Sequence, residues 1–448
     1  MSEFFDSLVE IDYPKSRIVL FLHNSVARYR EKITKFKEEN TSSYKSVKII
    51  QDSAGISLLE AAKRAIILCL KNSCDFLLKM DSLVRFDNPQ ALKILLTREK
   101  DVLSPLLTRN QRTAYAFQDK LFFYGYYKQE DFEDVLTLQE LALWETQAIL
   151  NAYLVSSKSL LHIENKFLQE KRDYLHPDLV LSSILRKLNI TLYADNTEDK
   201  SLGHISDVSL YRSNETNPEL WEILGNQKDW EKRYLHDEFK NQLQNDTVIQ
   251  QPCPDVFTFP LFTEKFCWDL IHEAEKNGDW SPGFKVPRKE EKYHGNVPTV
   301  DLYFEQIHFT QQWKKILHQY VMHIQQKVYA GYDKEPPDGD ALFIVRYRPT
   351  EQPFLRPHYD NSLYSLNVAL NRKGVDFEGG GTRFLRYNCS VTDQQQGWGL
   401  VHPGKLTHEH EGLNTTKGTR YITVSFIDPY YNIDIQNNSK NDKNESSS

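Results

Sequence analysis

Several things are scarce or missing in this chain of 448 residues, and each absence narrows its function. Cysteine is rare: five residues are too few for a disulfide-built scaffold, and an odd number leaves at least one thiol unpaired. Positive charge is not in excess. A net charge of −7 gives no support for nucleic acid binding, which needs a basic stripe. No apolar run approaches the ~20 residues of a membrane span; Ile66–Leu70 is short and reads as one face of a buried helix. The first residues, Met1–Asp6, start acidic and offer neither a basic n-region nor an apolar h-region, so no signal peptide is expected.

What remains is an ordinary globular composition, 40% hydrophobic and 26% charged, long enough for two or three domains. From Ser16 to about Ile163 the order reads as α/β: a strand Ile18–Leu22, a helix over Ser57–Asn72, a strand Phe76–Met80, and a helix opened by Asn88-Pro89. Residues 194–250 are polar and read as a connector, with Trp221 and Trp230 anchoring it to the domains on either side. Beyond it, apolar residues three and four apart predict helices over Lys265–Asn277 and Gln311–Val328. Leu366–Leu370, Gly397–Val401 and Arg420–Phe426 read as short strands at a density that suggests a β-sandwich or jelly roll. The final stretch, 430–448, is rich in Asn, Lys, Ser and Glu and is expected to be disordered.

One pattern carries chemistry. His358 and Asp360 stand two apart, which on a strand puts both side chains on one face. A second imidazole from elsewhere completes two nitrogens and one carboxylate oxygen, a facial set suited to octahedral Fe(II) with three positions left open. Either His410 or His408 can supply it, and the spacing of ten residues to Arg420 favours His410. Arg420 offers a planar fork that grips a carboxylate through two parallel hydrogen bonds. A lone His-x-Asp arises often by chance; the later His, the Arg and the strand setting together point to an Fe(II)- and 2-oxoglutarate-dependent oxygenase. Gly379–Gly381 does not read as a phosphate cradle, because the segment after it is strand-like and lacks the Lys-Ser/Thr of one; it reads as a tight turn or a close backbone approach beside the iron.

The segments Arg356–Asp360, Asn367–Asn371, Glu378–Cys389, His402–Gly412, Lys417–Tyr421 and Ser425–Pro429 together resemble the procollagen-lysine 2-oxoglutarate 5-dioxygenase (lysyl hydroxylase) family. The resemblance runs through nearly all of the chain, and its motifs are far more specific than the bare triad. It implies an α+β multidomain protein: a glycosyltransferase-like α/β accessory domain over 1–193, non-catalytic, the connector over 194–250, and a double-stranded β-helix (jelly roll) oxygenase domain over 251–429. No counterpart of the family's further N-terminal glycosyltransferase domain is expected. By position the resemblance places the iron ligands on His358, Asp360 and His410, the 2-oxoglutarate arginine on Arg420, and further co-substrate contacts on Tyr347 and Asn367. It implies Fe(II), 2-oxoglutarate and L-ascorbate as cofactors, a collagen-like Xaa-Lys-Gly substrate hydroxylated at lysine C5, a homodimer, the endoplasmic reticulum lumen, and a bridge between Cys253 and Cys389.

The sequence departs from the family at Tyr359, where a second His is expected, at Thr382, where vertebrate members have Cys, and in running nineteen residues past Pro429. In the accessory domain, the strand ending at Asp81 stops where nucleotide-sugar transferases carry Asp-x-Asp; a single Asp there implies a broken metal site. A cationic substrate lysine calls for an acidic rim, with Asp376, Glu378 and Glu411 as candidates. Two other functions stay open: an oxygenase acting on a different protein residue, and a non-enzymatic collagen-binding scaffold.

Overall fold

The computed structural model describes residues 2–109, 112–114, 141–198, 202–207, 217–283, 299–329, 337–405 and 407–429. The chain forms two compact units, Met1–Val208 and Ser209–Ser448. The tail expected to be disordered, 430–448, lies outside the described residues.

The first unit is α/β. Val19–His23 and Ser46–Ile50 pair in parallel around the helix Arg30–Asn40. A five-stranded mixed sheet runs in the order Phe76–Met80, Ala152–Ser156, Val102–Pro105, Leu192–Asp195, Leu143–Thr146. Helix Leu58–Lys71 falls where it was expected, with Ser57 Oγ accepting from the Glu60 amide as its N-cap. That helix buries Leu59 and Ile66 with Leu160 and Ile163 of Ser157–Leu168 and Val180 and Leu185 of Pro177–Lys187. The helix expected at Asn88-Pro89 starts at Ala91, because Asn88 Oδ1 first accepts from the Gln90 amide and closes a turn.

The second unit begins earlier than its composition suggests. Residues 194–250, expected as a polar connector, divide between the units, and Trp221 and Trp230 are wholly buried in the core of the second. Trp221 donates to the His308 carbonyl and Trp230 to that of Leu220, so each indole is satisfied without solvent. The segment is a short 3-10 turn, Pro218–Leu224, followed by the helix Gln227–Tyr234, and several of its polar residues, Glu222, Asn226, Gln227 and Asp229, are buried with the two indoles.

The strands of this unit, numbered within it, are β1 (Gln250–Cys253), β2 (Val256–Pro260), β3 (Asp301–Tyr303), β4 (Pro337–Tyr347), β5 (Leu355–His358), β6 (Tyr364–Ala369), β7 (Phe377–Gly379), β8 (Thr382–Phe384), β9 (Cys389–Val391), β10 (Trp398–Pro403), β11 (His410–Gly412), β12 (Thr415–Gly418) and β13 (Arg420–Pro429). Seven form an antiparallel sheet in the order β1-β2-β10-β6-β13-β4-β3, and four form a smaller one, β5-β11-β8-β9. β7 and β12 make a separate hairpin-like pair.

Period-two alternation decides what each face of the large sheet does. Leu342 and Ile344 of β4, Leu366 and Val368 of β6, and Tyr421 and Ile427 of β13 turn to one side. There they pack on the helices Glu264–Asn277, Thr310–Ile316 and Met322–Val328, through Phe266, Leu270, Trp313 and Ile324. The intervening residues face the other way: Phe343, Val345 and Tyr347 of β4, Asn367 of β6, and Arg420, Ile422, Val424 and Phe426 of β13. These line one cavity together with Leu355, Thr382, His410 and Gly412 of the smaller sheet. Cys253 and Cys389 are disulfide-bonded, tying β1 to β9, and Cys69 and Cys74 are bonded in the first unit; Cys267 is free and buried. Among the described residues no helix is long and apolar enough to cross a membrane.

Candidate functional site

β5 and β11 pair so that His358 lies directly opposite His410, with ring centroids 4.3 Å apart. Strand β5 ends at His358, so Asp360 joins the pair from the bend beyond it and not, as expected, by alternation along a strand. Its carboxylate oxygens lie 3.4 Å from His358 Nε2 and 3.8 Å from His410 Nε2. One ligand atom from each of the three residues lies within 4.8 Å of the others. His358 Nδ1 is 2.8 Å from the Arg356 carbonyl and His410 Nδ1 is 2.9 Å from that of His408. A carbonyl can only accept, so each Nδ1 carries the proton and each Nε2 lone pair is left for a metal.

The electrostatics suit that use. Burial works against a charged His358, but the Asp360 carboxylate outweighs it and raises the pKa. Burial dominates at His410 and lowers it. At Asp360 burial favours the neutral acid, yet the facing imidazoles win and hold the carboxyl below its ordinary range. The result is an anionic oxygen beside two imidazoles oriented through backbone carbonyls, the two-His, one-carboxylate donor set of non-haem Fe(II) sites. These residues fit such an ion.

His408 is excluded from the set by its own bonds. Its Nδ1 sits 2.8 Å from Thr407 Oγ1 and its Nε2 2.9 Å from the Pro254 carbonyl, so neither nitrogen is free. His402 escaped the sequence reading. It is fully buried, its ring is 4.8 Å from that of His410, and its Nδ1 and Nε2 meet the Pro403 carbonyl at 2.8 Å and Asn367 Nδ2 at 3.4 Å. Burial pushes its pKa down to about 3, so it stands as a neutral acceptor beside the triad. Extending the strand read at Gly397–Val401 by one residue would have placed it opposite Ser365, inside the sheet.

Arg420 opens β13 opposite Tyr347, its guanidinium 5.4 Å from that ring centroid. Its Nη1 donates to the Gly381 carbonyl at 3.3 Å, and burial lowers its pKa. Among the described residues no carboxylate pairs with it. A buried cation without a counter-ion is costly unless a ligand brings the anion. The glycine run explains how the fork is held. Gly380 has φ +65°, and a Cβ there would stand 2.9 Å from Arg420 Cδ, so the close approach permitted by glycine is to the arginine stem and not to the metal ligands. Tyr347, whose phenol burial pushes up to about 12, and Asn367 line the same cavity of about 270 Å³ as Arg420 and the triad. Thr382 lines it too.

The three acids expected to form a rim are paired elsewhere. Glu378 pairs with Lys417 at 3.0 Å, Asp376 with Arg372 at 3.3 Å and Glu411 with Arg383 at 3.3 Å, and none of the three lines the cavity. Each acid is used up by a basic neighbour on the surface, as solvated charged turns commonly are. In the first unit Asp81 is not isolated: His176 and Asp178 bring ligand atoms within 4.8 Å of it. That cluster is already filled, since Lys79 Nζ lies 2.9 Å from Asp81 and 2.7 Å from Asp178.

Residues 339–429 match the family model of the 2OG-Fe(II) oxygenase superfamily. Procollagen-lysine,2-oxoglutarate 5-dioxygenase 1 of Bos taurus is 37% identical over 434 residues, covering 96% of this chain and 59% of that protein. Procollagen-lysine,2-oxoglutarate 5-dioxygenase 2 of Homo sapiens is 36% identical over 433 residues, covering 96% and 58%. The chain thus spans under two thirds of the length of these relatives. Among solved structures, a viral collagen prolyl hydroxylase from Paramecium Bursaria Chlorella virus-1 is 18% identical, with the match covering 39% of this chain and 95% of that one, at a TM-score of 0.26.

Proposed function

We propose that this homologue of the procollagen-lysine 5-dioxygenases, which carries a 2OG-Fe(II) oxygenase domain, hydroxylates peptidyl lysine in collagen-like Xaa-Lys-Gly sequences. The carrying observation is the unpaired, buried Arg420 fork in the wall of the cavity that holds His358, Asp360 and His410. A metal site alone would not need it; a metal site that also binds a dicarboxylate would.

In this reading His358, Asp360 and His410 hold Fe(II), Arg420 takes the far carboxylate of 2-oxoglutarate, Tyr347 and Asn367 add co-substrate contacts, and L-ascorbate is the accessory reductant. When bound, iron and 2-oxoglutarate would supply the chemistry that activates O2, the oxidant: one oxygen atom goes to the substrate carbon as hydroxyl and the other to succinate, with loss of CO2. The chain's own part is positioning. The Arg356 and His408 carbonyls fix both ligand imidazoles in one tautomer, and the Gly381 carbonyl fixes the arginine fork. Phe343, Val345, Ile422, Val424 and Phe426 give the cavity an apolar floor that keeps water away from the reacting carbon.

The two facing sheets support a double-stranded β-helix for this unit, and the α/β order of the first supports a glycosyltransferase-like accessory domain without catalysis of its own. The Cys253–Cys389 bond fits an oxidising lumen and with the relatives supports the endoplasmic reticulum as the site of action, while the homodimer rests on the family resemblance alone. The test is mass spectrometry of a collagen-like Xaa-Lys-Gly peptide incubated with the protein, Fe(II), 2-oxoglutarate and ascorbate, with succinate followed in parallel. Oxygen on lysine is expected. Succinate without peptide oxidation would keep the oxygenase and discard the substrate, and neither product would leave a binding scaffold.

A further inference from the structure

If lysine C5 is oxidised, the ε-ammonium lies only two bonds from the reacting carbon. Whatever recognises its charge must therefore stand next to the metal ligands. The acids first considered for this are absent from the cavity wall, and the charged residues among the described lining ones are the ligands His358, Asp360 and His410, and Arg420. Arg420 repels a cation, and Asp360 is committed between two imidazoles.

Of the aromatic residues that line the cavity, Tyr347 lies under Arg420 and Phe343 and Phe426 pack against each other, which leaves the ring of Tyr359. Tyr359 lies between His358 and Asp360 in the chain, on the bend that carries Asp360, and lines the cavity while 50% exposed. It makes no hydrogen bond, ring contact or ion pair with any described residue. An aromatic ring of this size left half in water beside the cavity has a face to present to a ligand. An aromatic face attracts a primary ammonium, and does so without a carboxylate that would compete for the metal. The neighbouring Asn361 also lines the cavity and can accept one ammonium proton through its amide oxygen.

We propose that Tyr359 is the specificity residue that recognises the substrate lysine, holding its ε-ammonium against the ring while the adjacent carbon faces the metal. The inference rests on the lysine-hydroxylase reading above and adds the residue that selects the charge.

Its test is a binding ratio, so that general damage to the fold cancels. A collagen-like peptide containing lysine and the same peptide containing norleucine are titrated into protein loaded with Mn(II) and 2-oxoglutarate. The wild type should prefer lysine. Tyr359→Phe should keep the preference, and Tyr359→Leu should reduce it by roughly two- to fivefold, the worth of an exposed cation–π contact. An unchanged ratio in Tyr359→Leu would overturn the assignment, and continued lysine oxidation by that variant would show that the substrate reading survives it. A wild type that does not distinguish the two peptides would also overturn the assignment, and a wild type that leaves the lysine peptide unoxidised would overturn the substrate reading.

Discussion

Two clusters in this protein have nearly the same parts. His358, Asp360 and His410 stand in the second unit, and Asp81, His176 and Asp178 in the first, each with three ligand atoms within 4.8 Å of one another. What separates them is what surrounds the ligands. In the second unit backbone carbonyls take the histidine protons, leaving the lone pairs and the carboxylate turned toward a cavity. In the first, the Lys79 ammonium bridges both carboxylates, Tyr153 donates to Asp178 at 2.9 Å, and the Asn151 amide donates to the other Asp178 oxygen at 3.2 Å. Spacing and residue type make a candidate; the outer bonds decide whether it has anything left to give a metal.

The comparison is broken most severely by removing a ligand from the open cluster. His410→Ala should abolish Fe(II)-dependent succinate formation and peptide oxidation, since two protein ligands rarely hold catalytic iron. Turnover at the wild-type rate would return the ligand role to His408 despite its two hydrogen bonds. Arg420→Ala comes next. It should leave metal binding in place and raise the 2-oxoglutarate KM by roughly 100-fold, the scale for truncating one partner of a buried charge pair. An unchanged KM would show that the unpaired guanidinium serves the fold alone.

How much of this was legible beforehand varied with the distance between the cooperating residues. The triad and Arg420 lie within 63 positions of one another on named motifs, and short-range spacing plus the family resemblance located them. The reason given for Asp360 was not the one the structure uses, because a strand that stops at His358 hands the next ligand to a bend. The role of Trp221 and Trp230 was hidden by the polar residues around them: Glu222, Asn226, Gln227 and Asp229 read as solvent-facing by composition, yet they are buried alongside the indoles. The partners of Asp81 were illegible for a simpler reason. Asp178 is 97 positions away and comes to it from the first turn of the helix Pro177–Lys187, with the Lys79 ammonium between the two carboxylates. The paired state of Glu378, Asp376 and Glu411 likewise depends on which basic side chain the turns bring alongside.

The closed cluster offers its own test. Lys79→Met leaves Asp178, only 2% exposed in its side chain, without its cation, and the first unit should lose about 3 kcal/mol, as for a broken buried pair. With the ammonium gone, Asp81, His176 and Asp178 become free to take a divalent ion. In a His410→Ala background, where the other site is disabled, Mn(II) should therefore raise the melting temperature of the Lys79→Met protein and leave that of the Lys79 protein unchanged. Equal responses would mean that Lys79 is not what closes the cluster.

The smallest effect concerns His176, which sequence proximity to Asp178 makes look like a ligand. Its side chain instead accepts from the Asp178 amide at 3.4 Å as the N-cap of the helix Pro177–Lys187, with Pro177 in the first turn. Capping and ligation predict different things. A cap can be replaced by any short acceptor, so His176→Asn should match the wild type or exceed it slightly, while His176→Ala should cost about 0.5 kcal/mol, at the weak end for a lost cap because the bond is long. Neither difference should respond to EDTA. Thermal denaturation of the three proteins with and without the chelator separates the cases: a chelator that erases the difference between His176 and His176→Ala would make this histidine a ligand and reopen the first unit as a metal site.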